Sequence, residues 1–99
     1  MSTYSTISPE QLKLRLDQGE PLNIIDVRED EEVAAGMIPG AKHIPLGQLP
    51  ERYDEIEKTP ELFIMCRSGG RSSRACEYLS SLGFEGVTNI TGGMLSWEM

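Results

Sequence analysis

Apolar positions along the chain fall into short continuous runs that alternate with stretches of helical spacing. Leu62-Phe63-Ile64-Met65 is the most sharply bounded run and ends at Cys66. A brief, wholly apolar segment of this kind reads as a strand buried on both faces. Beyond it, Ala75, Leu79 and Leu82 recur at i, i+4 and i+7, which predicts a helix from near Ser72 with Gly83 placed to end it. Residues 22–27 (LNIIDV) read as a central strand, 41–44 as a short one and 87–90 as the last. Residues 1–7 hold the β-prone Tyr4, Thr6 and Ile7 and suit a short edge strand. Ser8-Pro9-Glu10 is a helix start, with Ser8 as cap and proline at the first helical position; this helix buries Leu12 and Leu16 and stops at Gly19. Residues 29–35 (EDEEVAA) form a short acidic helix with its charges early, where the helix dipole favours them. Pro45 to Pro60 is a loop with one short helix packing Leu49, Tyr53 and Ile56. Gly92-Gly93 is a turn, and 94–97 a single helical turn. Alternating strand and helix signals imply an α/β fold, a parallel sheet of about five short strands with helices on both faces.

Charge and size narrow the function classes. Ninety-nine residues suit one domain spanning 1–99. No apolar stretch approaches the ~20 residues that span a membrane. Met1-Ser2-Thr3-Tyr4-Ser5 lacks the basic and apolar regions of a signal peptide, so the cytoplasm is the expected compartment. The formal net charge of −7 argues against nucleic acid as a partner. Three of the nine basic residues nevertheless lie at Arg67, Arg71 and Arg74, a local patch suited to capturing a small anion. His43 is the only histidine and reads as structural, and the two cysteines stand ten positions apart. Neither a disulfide framework nor a metal-ligand pattern is present.

Cys66 is the candidate reactive group. The thiolate is the nucleophile, and an ordinary thiol with pKa about 8.5 is mostly protonated at neutral pH. Three neighbouring features favour the anion. A helix start aims its positive end and unpaired N–H groups at the loop. Gly69 and Gly70 let successive N–H groups converge into an anion-binding nest. Arg67 and Arg71 add fixed positive charge. The competing reading is a packed cysteine before a glycine turn, but such a turn has no use for arginines on both sides of two glycines. Asp26 and Arg28 admit two readings: a role at the site, since function collects at the carboxyl ends of strands, or a paired network fixing the surrounding loops. Cys76 could act as a resolving cysteine or simply pack within its helix.

Cys66-Arg67-Ser68-Gly69-Gly70-Arg71-Ser72 resembles the active-site loop of the rhodanese family, sulfurtransferases that carry sulfur as a cysteine persulfide. Asp26-Val27-Arg28-Glu29, then Gly36-Met37-Ile38-Pro39-Gly40-Ala41 with His43-Ile44-Pro45-Leu46, and finally Gly92-Gly93 with Trp97, resemble further segments of that family in the same order. The resemblance implies the three-layer rhodanese fold. It makes Cys66 the catalytic nucleophile and Arg67, Ser68, Gly69, Gly70 and Arg71 the substrate-binding loop, with both arginines on the donor's anionic oxygens. Ser72, Asp26 and Arg28 are implied as supporting residues. The implied partners are a small anionic sulfur donor such as thiosulfate and a thiophilic acceptor: cyanide, glutathione, thioredoxin or a protein cysteine. No metal or organic cofactor is implied. Related phosphatases and arsenate reductases use Cys-x5-Arg, one residue longer, to enclose an oxyanion. The six-residue loop and Met65 in place of their common histidine both disfavour phosphate chemistry. Met37 stands where the family commonly has histidine. Two other classes compete, a non-catalytic interaction module, which often lacks the cysteine, and a redox sensor pairing Cys66 with Cys76.

Overall fold

The computed structural model describes residues 4–97. Five strands, β1 (Ser5–Ile7), β2 (Ile24–Asp26), β3 (Lys42–His43), β4 (Leu62–Met65) and β5 (Val87–Ile90), form one parallel sheet in the order β1-β5-β4-β2-β3. Five helices complete the fold: α1 (Pro9–Asp17), α2 (Asp30–Ala34), α3 (Leu49–Arg52), α4 (Gly70–Ser81) and α5 (Gly93–Trp97). The expected α/β architecture is therefore present. β1 is the edge strand anticipated, although residues 1–3 of that expectation lie outside the described residues.

The apolar run of β4 is continuous because both of its faces are covered. Leu62 and Ile64 pack with Ile25, Val27, Val87, Ala75 and Leu79, and Phe63 and Met65 with Ile24, Ile90, Leu12 and Met94. Burying each such side chain contributes about 1.5–3 kcal/mol. α4 and the segment around Leu49 and Ile56 cover the first face, and α1 and α5 the second. A right-twisted parallel sheet dictates this division. Right-handed crossovers put connections that run one way along the sheet on one face and those that run back on the other.

Local chemistry sets the helix ends. The amide of Gln11 donates to Ser8 Oγ (3.1 Å) and that of Ser8 to Gln11 Oε1 (3.3 Å), closing a capping box on α1. α4 starts at Gly70, two residues before the predicted Ser72, because Gly69 adopts φ +106° and serves as its cap. Its buried stripe is consequently Ser72, Ala75, Cys76 and Leu79, at i, i+3, i+4 and i+7. Leu82 lies past the helix end and is 37% exposed, contrary to its expected place in that stripe. Between Pro45 and Pro60 the helix is four residues long, flanked by 3₁₀ turns at Leu46–Gln48 and Tyr53–Glu55. Leu49 and Ile56 are buried as expected, whereas Tyr53 turns outward at 39% exposure.

The strand order creates the functional edge. β2 leads outward to β3 while its neighbour β4 leads to β5 on the opposite side. The chain thus leaves two adjacent strands in opposite directions and opens a crevice at their carboxyl ends. Asp26 ends β2 on one side of this point, and Cys66 follows β4 on the other.

Candidate active site

Cys66 continues the alternation of β4 onto the face that α4 covers, and the residue is wholly buried. Its sulfur lies against the loop that follows it. The Gly69 amide donates to Sγ at 2.9 Å, and Ser72 Oγ is 3.2 Å away. Burial pushes the thiol up, but the Ser72 hydroxyl and the N–H groups of Ser72, Gly69 and Ser68 outweigh it. The balance holds the Cys66 pKa below its ordinary value. The Gly69 N–H meets the sulfur directly, and the N–H groups of Ser68 and Ser72 also favour its anion. Ser72, expected only as support, is in direct contact.

The base of the loop is fixed from the opposite side by α5. The amide of Met94 donates to the Cys66 carbonyl (2.8 Å) and that of Leu95 to the Arg67 carbonyl (3.0 Å). These bonds use helix-start donors that have no partner within their own helix. The approach requires glycine at 93, with φ +54°, because a β-carbon there would collide with the carbonyl groups of Cys66 and Arg67. The Gly92-Gly93 turn thus has a physical reason to lie beside the reactive loop.

The two arginines of the loop differ. Arg71 sits in the first turn of α4, and its guanidinium is clamped by both carboxylate oxygens of Glu32 at 2.7 and 2.8 Å. Arg71, expected on the donor's oxygens, is here engaged by Glu32, a pair that ties α4 to α2. Arg67 is exposed and lines a cavity of about 270 Å³ with Arg28, Glu32, Ala35, Met94 and Leu95. Glu32 also accepts the Glu29 amide, and the Arg71 guanidinium is the main cause that draws its carboxyl down to about 2 from an ordinary 4.5. A carboxylate depressed on folding contributes stability at pH above its unfolded value and loses it as pH falls toward the folded value. The melting-temperature advantage of the wild type over Glu32→Gln should therefore be full above about pH 5 and shrink toward about pH 2. A constant difference across that range would show that the pair contributes nothing through charge.

At the end of β2 the structure shows the paired network. Arg28 donates to both oxygens of Asp26 (2.8–3.0 Å), to the Glu32 carbonyl (3.3 Å) and to the Gly36 carbonyl (2.7 Å). His43 bonds the Arg28 carbonyl through Nε2 at 2.7 Å, in keeping with a structural role. Cys76 is buried in α4, and burial, followed by the charges of Cys66 and Glu77, pushes its thiol up to about 12. It is a packed residue with little thiolate to offer. Both cysteines are free, and no metal-binding group of His, Cys, Asp or Glu occurs among the described residues.

Two residues near the site escaped the sequence reading, Glu32 and Asn89. Asn89 lies in β5 within 2.5 Å of Ser72 Oγ. The available signals were a glutamate three residues after Glu29, the spacing of a capping box, and a polar side chain inside an otherwise buried strand.

Comparison with known proteins gives matches over nearly the whole chain. Residues 8–99 match the rhodanese-like domain family. "Putative sulfurtransferase YtwF" of Bacillus subtilis is 50% identical over 92 residues, covering 93% of this chain and 88% of that protein. A protein of Allochromatium vinosum named "Sulfurtransferase" is 42% identical over 91 residues, covering 92% and 85% respectively. The crystal structure of a rhodanese-like domain protein from Staphylococcus aureus superposes with a TM-score of 0.88 at 39% identity, over 94% of this chain and 90% of that one. With the five-strand parallel order, the cysteine at the end of its central strand and a match over most of its length, the chain belongs to the rhodanese-like family.

Proposed function

We propose that this protein is a sulfurtransferase, working as a single domain, that carries sulfane sulfur on Cys66 from an anionic donor to a thiophilic acceptor. The observation that carries this reading is the environment of Cys66 Sγ, a buried sulfur receiving backbone N–H groups and a hydroxyl at a helix start. The sulfurtransferase names of the Bacillus and Allochromatium relatives support it. So does the six-residue loop from Cys66 to Arg71, one residue shorter than the Cys-x5-Arg loop of the related phosphatases.

Thiosulfate is the donor we assign. The Cys66 thiolate attacks its outer sulfur, the S–S bond of thiosulfate breaks with its electron pair, and sulfite leaves. Cys66 then holds a terminal persulfide anion in the place where the N–H groups of Ser68, Gly69 and Ser72 already favour negative charge. An acceptor thiolate or cyanide attacks the terminal sulfur, takes it as a persulfide or thiocyanate, and returns the Cys66 thiolate. Glutathione, thioredoxin and protein cysteines fit the acceptor role, and the cytoplasm, where thiols stay reduced, is the compartment we propose. No resident cofactor enters this scheme.

Arg67 is the arginine we assign to the donor's sulfonate oxygens, because Arg71 is engaged by Glu32. Arg67→Ala should raise KM for thiosulfate about fivefold to tenfold, the loss of one charge-assisted contact at an exposed site, and leave the melting temperature unchanged. An unchanged KM would remove Arg67 from donor binding. The proposal as a whole is tested by the intact mass of the reduced protein before and after thiosulfate. A gain of one sulfur atom, reversed by cyanide, is expected. No gain with thiosulfate or with a small-molecule persulfide would overturn it.

A further inference from the structure

Asn89 stands on β5 opposite Ile64 of β4, with its side chain buried against Ser72. Ser72 Oγ has three polar neighbours: Asn89 Oδ1 at 2.5 Å, the Gly69 carbonyl at 3.1 Å and Cys66 Sγ at 3.2 Å. Asn89 Nδ2 is 3.4 Å from the same Gly69 carbonyl. A hydroxyl has one proton to donate and can accept from two directions. With a proton on the sulfur, the bonds close in one direction. Cys66 S–H donates to Ser72 Oγ, Ser72 O–H donates to Asn89 Oδ1, and Asn89 Nδ2–H points to Gly69.

Once the sulfur is an anion it only accepts, and the Ser72 proton must turn toward it. Asn89 Oδ1 and Ser72 Oγ would then face each other as two acceptors with no proton between them. Turning the amide over relieves the conflict at this short contact, because Nδ2–H now donates to Ser72 Oγ while Ser72 O–H donates to sulfur. What is given up is the longer 3.4 Å contact with the Gly69 carbonyl, which Oδ1 then faces. A carboxylate in this place could never donate, and an aliphatic side chain could do neither. We propose that Asn89 is a positioning residue for sulfur transfer, an amide that turns over with the charge on Cys66 and keeps the Ser72 hydroxyl aimed at the anionic sulfur. The change consists of two rotations; no proton passes between residues other than the one that leaves the thiol for solvent.

This inference deepens the sulfur-carrier reading, but its test reads the thiol alone. The other titratable or charged groups around the sulfur are Arg67 from the loop, Arg71 on Glu32 and Cys76 from α4, and the Asp26–Arg28 pair from β2. All are unchanged between the variants compared. The thiolate of Cys66 is followed by its ultraviolet absorbance as pH is raised, with Cys76 titrating apart near its value of about 12. At a fixed pH, Asn89→Leu should lower the thiolate-to-thiol ratio about threefold to tenfold, the worth of one hydrogen bond. Ser72→Ala should lower it as well, and Asn89→Leu added to Ser72→Ala should lower it no further. An unchanged ratio in Asn89→Leu, or an additive loss in the double variant, overturns the proposal. Asn89→Ala, which asks for less space and keeps the β5 backbone pairing, replaces the leucine variant if that one does not fold. Wild-type protein that titrates as expected yet gains no sulfur would count against the sulfur-carrier reading alone.

Discussion

Replacing Cys66 by serine is expected to abolish sulfur loading and leave the fold standing. The argument is chemical on one side and structural on the other. A serine hydroxyl at neutral pH is neither ionised nor soft enough to attack a sulfane sulfur, and no histidine bonds to it. Loss of the nucleophile from a double-displacement reaction costs about a thousandfold or more in rate. Cys76 cannot take over, since burial and neighbouring negative charge push its thiol up to about 12. Serine is close to cysteine in shape and keeps partners in Ser72 Oγ and the Gly69 amide, so the stability change should be within about 1 kcal/mol. The measurement is mass after thiosulfate together with a thermal melt. A folded variant that still loads sulfur would end the assignment of Cys66.

The sulfur environment also fixes the expected pH dependence of the wild type. Hydrogen bonds to the anion prevail over burial and hold the thiol lower than usual. Loading should therefore approach its plateau at a lower pH than free thiols of comparable nucleophilicity allow.

The parts of this site that could be read from the sequence are those made by neighbours in the chain. β4 announces itself because four consecutive apolar residues are buried on both faces, and the loop after it carries glycines and arginines whose chemistry is local. Even the helix after the loop was legible, though its start was misplaced. Ser72 is polar, so its membership of the buried stripe was hidden until Gly69 proved to be the cap. Glu32 and Asn89 were not legible for a different reason. Glu32 reaches Arg71 across 39 positions, and Asn89 reaches Ser72 across 17. Those meetings depend on the strand order β1-β5-β4-β2-β3, which no local pattern encodes. Glu32 in particular read as one more charge on an acidic helix. Its engagement of Arg71 ties the helix that carries it to the start of α4.

The same logic predicts a large stability effect. Arg28→Ala should cost about 3–5 kcal/mol, because it leaves the Asp26 carboxylate buried without its partner. Asp26 is 0% exposed and Arg28 only 5%, so the pair is held largely away from water. Against a typical total of about 5–15 kcal/mol, the loss should move the urea midpoint sharply at unchanged slope. Lysine should not rescue it. The guanidinium serves four acceptors at once, the two Asp26 oxygens and the carbonyls of Glu32 and Gly36, and an ammonium lacks the planar fork to reach them together. Removing both charges, as in Asp26→Asn with Arg28→Met, should cost much less than Arg28→Ala, since no unpaired charge remains. If Arg28→Ala and the double variant lose the same stability, the cost lies in packing and the buried pair is not its cause. If they separate as expected, the network explains how the crevice keeps its shape. Arg28 anchors β2 to the backbone of α2, and Glu32 on that helix holds Arg71 at the start of α4, one residue before the serine that touches the sulfur.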